Sequence, residues 1–140
     1  TDILLIKFNS SGIKQWTKQL GSSGQDWGTG IATDSSGNVY VAGYTGGGLD
    51  GNSSAGSNDL FVVKYNSSGT KQWTKQLGTS NNDQAYGIST DSSGNIYVTG
   101  NVQGSIGGNT HLGNSDIVLV KLNSNSVRLF MSIVIHVQLF

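Results

Sequence analysis

The sequence predicts an all-β fold assembled from tandem four-stranded antiparallel units, and three observations carry that prediction. The chain repeats itself at a period of 57 residues. Within each repeat, short apolar runs alternate with Gly/Ser/Asn-rich turns, the pattern of strands joined by tight connections. No apolar stripe of period 3.6 survives for ten residues, and Gly interrupts every stretch long enough to be a helix.

The repeat is explicit. Laying residues 2–57 over residues 59–114 requires no gap and gives 31 identities in 56 positions. Asp2, Asp59 and Asp116 open the runs DILLIKFN, DLFVVKYN and DIVLVKLN. The octapeptide KQWTKQLG stands unchanged at 14–21 and 71–78, and TDSSGNVYVAG at 33–43 returns as TDSSGNIYVTG at 90–100. A duplication of this fidelity is the signature of a repeat architecture.

Within one unit, GIATD (30–34) reads as a strand of small residues. DSSGN follows as a hairpin loop, in which Gly37 takes a positive φ and the Asp side chain caps the turn. NVYVAG (38–43) alternates as a strand does, and a Gly/Ser/Asn loop occupies 44–58. DLFVVKYN (59–66) is apolar on both faces, which marks a strand covered on both sides in the middle of a stack. NSSGT turns the chain into KQWTKQLG (71–78), where Trp73, Lys75 and Leu77 share one face. Four-stranded units repeated at this spacing are blades of a β-propeller.

The residues YGISTDSSGNIYVTG (86–100) and DLFVVKYNSSG (59–69) resemble the bacterial β-propeller repeat family called SBBP, akin to NHL-type propellers. The resemblance covers about residues 1–126. It implies a secreted or surface-exposed bacterial protein without enzymatic activity, and an NHL-like strand order in which GIATD is innermost and KQWTKQLG outermost. On that order, 1–126 is a partial propeller. It comprises two outer strands of a first blade (1–21), a complete blade (30–78) and three strands of a third (86–123). A closed ring takes at least about four blades, so remaining blades, or self-association through the open apolar end faces, are the expected partners.

Composition narrows the function classes. Lys+Arg and Asp+Glu number 8 each, so no net field draws the 140-residue chain to nucleic acid or anionic lipid. Charged residues are 11%, which leaves solubility to Ser, Asn, Thr and Gly. There is no Cys, which excludes disulfides and thiolate metal sites. Lys residues lie along strands without an aromatic–basic patch, and nucleic-acid binding is not expected. No basic n-region or cleavage site opens the sequence, so for an extracellular or cell-surface protein the export signal is expected upstream of residue 1.

Candidate chemistry lies where the two units differ. Asp34 and Asp91 admit a catalytic or metal reading, but each sits at the same hairpin, and a turn-capping role is favoured. Asp2, Asp59 and Asp116 are read the same way. Trp16 and Trp73 are read as packing between blades rather than as sugar platforms. The variable positions Trp27, Tyr44, Asp50, Tyr86, Asn101 and His111 are the candidate ligand contacts, in and beside the loops 44–58 and 101–115. Trp27, Tyr44 and Tyr86 are the residues a carbohydrate-binding surface would use.

Residues 50–59, DGNSSAGSND, have the oxygen density of a calcium loop. They lack the D-x-[DN]-x-[DN]-G spacing and a terminal Glu, and a surface loop explains them without a metal or other cofactor. His111 and His136 are the only histidines, and no Ser-His-Asp arrangement can be built from them. A propeller lyase or hydrolase ranks last, because the inner strands offer only Thr and Asp. The leading expectation is a non-catalytic scaffold or binding module.

The third copy fails after Asn123. The stretch 127–140 holds the only Met and the only Arg of the chain and no Gly. Its 14 residues fall short of the roughly 20 that a spanning helix requires. A shifted or truncated reading frame would produce such a tail, with the following blades encoded in another frame beyond codon 126. Ile133, Val134, Ile135, Val137 and Phe140 still favour a strand, and a substitute edge strand against 116–123 is expected.

Overall fold

A computed structural model describes residues 1–124 and the strand at 129–135. Arg128, His136, Val137 and Phe140, singled out in the tail, lie outside the described residues. The described chain contains ten strands: β1 (Ile3–Phe8), β2 (Lys14–Leu20), β3 (Asp26–Thr33), β4 (Val39–Thr45), β5 (Asp59–Tyr65), β6 (Lys71–Leu77), β7 (Gln84–Thr90), β8 (Asn95–Val102), β9 (Asp116–Asn123) and β10 (Leu129–Ile135). They form three antiparallel sheets in chain order: β1-β2, β3-β4-β5-β6 and β7-β8-β9-β10. The all-β, antiparallel architecture is the one that the repeat and its turns predict.

Two element boundaries differ from the sequence reading. The innermost strands begin earlier than GIATD and its counterpart, at Asp26 and Gln84. A bulge between Gly28 and Gly30, repeated between Ala85 and Gly87, lets the chain resume pairing upstream of a stretch that periodicity alone ends at Gly30. Opposite the bulge, a Cβ on Gly43 would overlap the Trp27 carbonyl oxygen, and one on Gly100 that of Gln84. Only Gly permits the close approach. The third sheet has four strands, three from the repeat and β10, which pairs with β9 from Leu129↔Leu122 to Ile135↔Ile117, in the edge position expected of the tail.

The turns follow local chemistry. The hairpin glycines Gly12, Gly37, Gly69 and Gly94 all have φ between 74° and 81°, a region an L side chain enters only at a cost.

Strand alternation divides each sheet into two unlike faces. In the middle sheet, Val39, Val41, Phe61, Val63 and Tyr65 face the first sheet, where Ile3, Leu5 and Trp16 pack against them. Tyr40, Ala42, Leu60 and Val62 face the third sheet and meet Ile96, Val98, Val118, Val120 and Leu122. All seven residues of β5 are buried, as its two-faced apolar run predicts. The inner strands of neighbouring sheets lie side by side: the Thr29 hydroxyl donates to the Ala85 carbonyl and that of Thr90 to the Thr33 carbonyl, each at 2.8 Å.

The outer parts are joined by a repeated lysine. Lys7 Nζ donates to the Ser67 carbonyl at 3.1 Å, and Lys64 Nζ, one repeat on, to the Ser124 carbonyl at 2.8 Å. Trp16 Nε1 also donates to the Ser67 carbonyl, at 3.2 Å. Its counterpart Trp73 is packed against the core through a tilted contact with Tyr40, ring centroids 6.2 Å apart. Both tryptophans thus serve packing between sheets.

Burial at one repeat position differs by sheet, and stability should follow burial. Phe61 is fully buried while its equivalent Leu4 is 62% exposed. Phe61→Ala is expected to cost about 3–5 kcal/mol, whereas Leu4→Ala at dilute concentration should stay within about 0.5 kcal/mol. Urea unfolding of the two variants measures the contrast.

Candidate functional site

The β4–β5 and β8–β9 loops emerge from the same end of equivalent sheets, and each rests on a frame of buried carboxylates. Asp26, 1% exposed, accepts from Ser22 N (2.8 Å), Ser22 Oγ (2.9 Å) and Thr45 Oγ1 (2.5 Å). Asp83, fully buried, accepts from Thr79 Oγ1 (2.9 Å) and Gln103 N (3.0 Å). Their backbone amides reach across to the preceding repeat: Asp26 N donates to the Thr1 carbonyl at 2.9 Å, and Asp83 N to the Asn58 carbonyl at 2.8 Å. These two aspartates were not singled out from the sequence, although their 57-residue spacing was the available signal.

Asp59 and Gln76 close the first loop. Asp59 Oδ2 accepts from Ala55 N (2.8 Å) and from Gln76 Nε2 (2.7 Å). Gln76 Nε2 also donates to the Gly47 carbonyl at 3.0 Å, while its Oε1 accepts from Leu49 N at 2.9 Å. Gln76 belongs to the verbatim octapeptide, so identity between the units hid a residue that organises a loop.

At the opposite end of the strands, Asp34 and Asp91 cap their hairpins. Asp34 Oδ1 accepts from Ser36 N and Asn38 N, both at 3.0 Å, and Oδ2 from Asn38 Nδ2 (2.7 Å) and the Tyr40 hydroxyl (2.9 Å). Asp91 repeats the set with Ser93, Asn95 and Tyr97. Burial acts to raise the Asp34 pKa, but the Asn38, Tyr40 and Ser36 donors together hold it below the usual 3.8. Asp91 is lowered chiefly by the Asn95 side chain. Burial, and then the bond to the Asp34 carboxylate, push the Tyr40 phenol upward.

The six candidate ligand contacts fall into separate places. Trp27 and Tyr44 are register partners on β3 and β4, stacked with centroids 6.4 Å apart at 23°. Trp27 is 49% exposed. Tyr86 lies on β7, at the position that Thr29 holds on β3, and donates to Gln84 Oε1 at 2.9 Å. It belongs to the next sheet rather than to the Trp27–Tyr44 pair.

Asp50 has φ 52° in the loop tip and is ion-paired to Lys71 and bonded to Thr74. Burial would raise its pKa, but these two partners lower it. Asn101 Nδ2 donates to Ser115 Oγ at 3.0 Å, across the base of the second loop, and His111 Nδ1, within that loop, lies 3.0 Å from Asp116 Oδ2.

The carboxylates of 50–59 do not converge on a cation. Asp50 turns to β6 and Asp59 to its own loop, and among the described residues no three His, Cys, Asp or Glu side chains gather. These residues do not fit a calcium loop. A cleft of about 320 Å³ opens beside β3, lined by Leu5, Gly28, Thr29, Gly30, Ile31 and Val41. Its one side-chain hydroxyl, on Thr29, is bonded to the Ala85 carbonyl, so the wall offers neither acid, base nor free nucleophile. Among the described residues no helix is long and apolar enough to cross a membrane.

Residues 15–50 and 72–110 match the β-propeller repeat called SBBP, more than half of the chain. The chain belongs to this family. Curated relatives of the SBBP chain include the regulatory protein FlaEY of Caulobacter vibrioides, 31% identical over 119 residues, which are 76% of this chain and 12% of that protein. An uncharacterized WD repeat-containing protein, L264, of Acanthamoeba polyphaga mimivirus is 31% identical over 116 residues, 71% of this chain and 8% of that protein. The SBBP chain thus spans about a tenth of the length of these relatives.

The Asp34 and Asp91 caps make stability acid-sensitive. Their folded pKa values are depressed below 3.8. Their contribution is therefore complete above the unfolded value and lost as pH falls through the folded one. Asp34→Asn and Asp91→Asn together should flatten the decline of the unfolding free energy below about pH 4, measured by denaturant titration from pH 2 to 6.

Proposed function

We propose that the chain is a non-catalytic scaffold and binding module of an exported bacterial protein, contacting a protein or other ligand through the loops 44–58 and 101–115. The observation that carries this reading is a division of labour within the repeat. Loop bases are tied down by polar side chains such as Asp59, Gln76, Asn101 and Ser115, while positions in the loops change between units, from Asp50 to Gly107 and from Ser54 to His111. Rigid frames with variable loops are how repeat folds carry recognition. The β-propeller repeat match and a bacterial relative named as a regulatory protein support it. The Cys-free composition is compatible with export.

A second reading is carbohydrate recognition, favoured by the half-exposed Trp27 stacked on Tyr44. Such a pair offers an apolar face for a pyranose ring.

The two readings separate on a glycan array probed with the chain and its Trp27→Ala variant. A signal that Trp27→Ala abolishes establishes the carbohydrate reading; an array silent for the folded chain removes it. For the leading reading, the exchanges Asp50→Gly and His111→Ser, each importing the residue of the other unit, should change stability by less than about 1 kcal/mol. Gln76→Ala, which strips a loop base, should cost about 1–3 kcal/mol. Large losses from the two exchanges would place those residues in the frame and refute the reading.

A further inference from the structure

At the loop end of the second sheet, the face turned toward the third sheet is only partly covered. Tyr44 shares that face with Tyr40 and Ala42 by strand alternation. Its register partners are Trp27 on β3 and Leu60 on β5. The next row outward holds Gln25, Gly46 and Asn58. Gly46 N donates to the Gln25 carbonyl at 2.8 Å, and a Cβ on Gly46 would lie 3.5 Å from Asn58 Oδ1.

The chain entering the third sheet crosses this face diagonally. At one end of the crossing Asp83 N donates to the Asn58 carbonyl at 2.8 Å. At the other, the Thr29 hydroxyl donates to the Ala85 carbonyl at 2.8 Å. Leu60 is buried, Tyr44 and Gly46 are half-buried, and Gln25 and Trp27 stay exposed. The result is an open corner whose two walls, the second sheet and the segment 81–85, both belong to the described chain.

The blade itself does not require aromatic rings there. In the third sheet the same register pair is Gln84 and Asn101, beside the same bulge and the same close glycine. Trp27 nevertheless keeps 49% of its surface in water. Its ring and that of Tyr44, 6.4 Å apart and 23° from parallel, lie offset and leave an aromatic surface uncovered.

The rim of the corner is polar and uncharged. The Gln25 amide makes no hydrogen bond among the described residues. Asn58 Nδ2 donates to Asn82 Oδ1 at 2.8 Å, which leaves Asn82 Nδ2 to donate outward. The nearby carboxylates of Asp26, Asp59 and Asp83 are buried and bonded within their own loop frames. An aromatic face edged by neutral amides suits a ring that is C–H on its face and hydroxyl at its edge. A sialylated, sulfated or uronate sugar would give up the water around its charge and meet no cation.

We propose, resting on the carbohydrate reading above, that this corner binds a ring of an uncharged hexopyranoside. The C–H face of the sugar lies on Trp27, and its hydroxyls bond the side-chain amides of Gln25 and Asn82.

A glycan array carrying uncharged, sialylated, sulfated and uronate-bearing glycans tests the charge class, and the chain should mark the uncharged pyranosides alone. The array glycan with the strongest signal then serves as titrant in calorimetry. Gln25→Ala and Asn82→Ala, both at exposed positions, should each raise its Kd about 3- to 10-fold, as the loss of one hydrogen bond does. The exchange Trp27→Gln with Tyr44→Asn imports the pair that the third sheet already accommodates. It should keep the fold, verified by circular dichroism, and abolish binding.

Acidic glycans bound as well as uncharged ones, with the signal lost in Trp27→Ala, overturn the proposal and leave the carbohydrate reading standing. So does binding of uncharged glycans that neither Gln25→Ala nor Asn82→Ala weakens. Binding that survives the double exchange, or an array silent for the folded chain, removes both.

Discussion

Everything described in this chain depends on one constraint: a strand that is apolar on both faces must be covered on both. β5 is such a strand, with all seven residues buried between the first and third sheets. A lone four-stranded sheet would leave both faces of β4 and β5 in water, at a cost of about 25 cal/mol for each Å² of apolar surface. Covering both faces fixes the order of the sheets and makes their two faces different, because the pleat sends alternate residues to opposite neighbours. Lys64 shows how closely the stack is fitted. It is 8% exposed, and its ammonium passes beside the Tyr40 ring to a carbonyl of the following sheet, so that charge is partnered rather than stranded.

The polar residues do a second job, which is to bring loops and turns to a set geometry without a large core beneath them. Asp26 and Asp83 gather the amides and hydroxyls of the inner-strand entrance, while Asp34 and Asp91 gather those of the hairpin. Ser, Thr and Asn serve here as donors to carboxylates. In a chain with only 11% charged residues, the buried Asp26 and Asp83 carboxylates are held by short local hydrogen bonds rather than by ion pairs. A frame secured in this way leaves residues in the loops, such as Asp50 and His111, free to differ from their counterparts.

Much of the frame was legible because repetition separates geometry from variation. The turn role of Asp34 and Asp91, the positive φ of Gly37 and the two-sided burial of β5 all follow from local patterns that the structure repeats, whereas the strand order came from the family resemblance. The earlier start of β3 was not legible, since a bulge between Gly28 and Gly30 breaks the alternation on which strand limits are judged. Gln76 and Asp26 were hidden for a different reason. Gln76 bonds Asp59 and Gly47, 17 and 29 residues away, and Asp26, though it recurs as Asp83, bonds Thr45 19 residues on, so neither role can be read from neighbouring residues.

The sequence by itself determined the repeat, the strand and turn alphabet and the family, because these rest on short-range periodicity and on residues such as Gly and Asp whose backbone chemistry acts locally. Only the tertiary structure decided which exposed groups belong together. Trp27 and Tyr44 meet across a strand pair while Tyr86 stands on another sheet, and the carboxylates of Asp50 and Asp59 point to different partners. Which groups converge is set by the packing of sheet on sheet, and that packing joins residues a whole repeat apart.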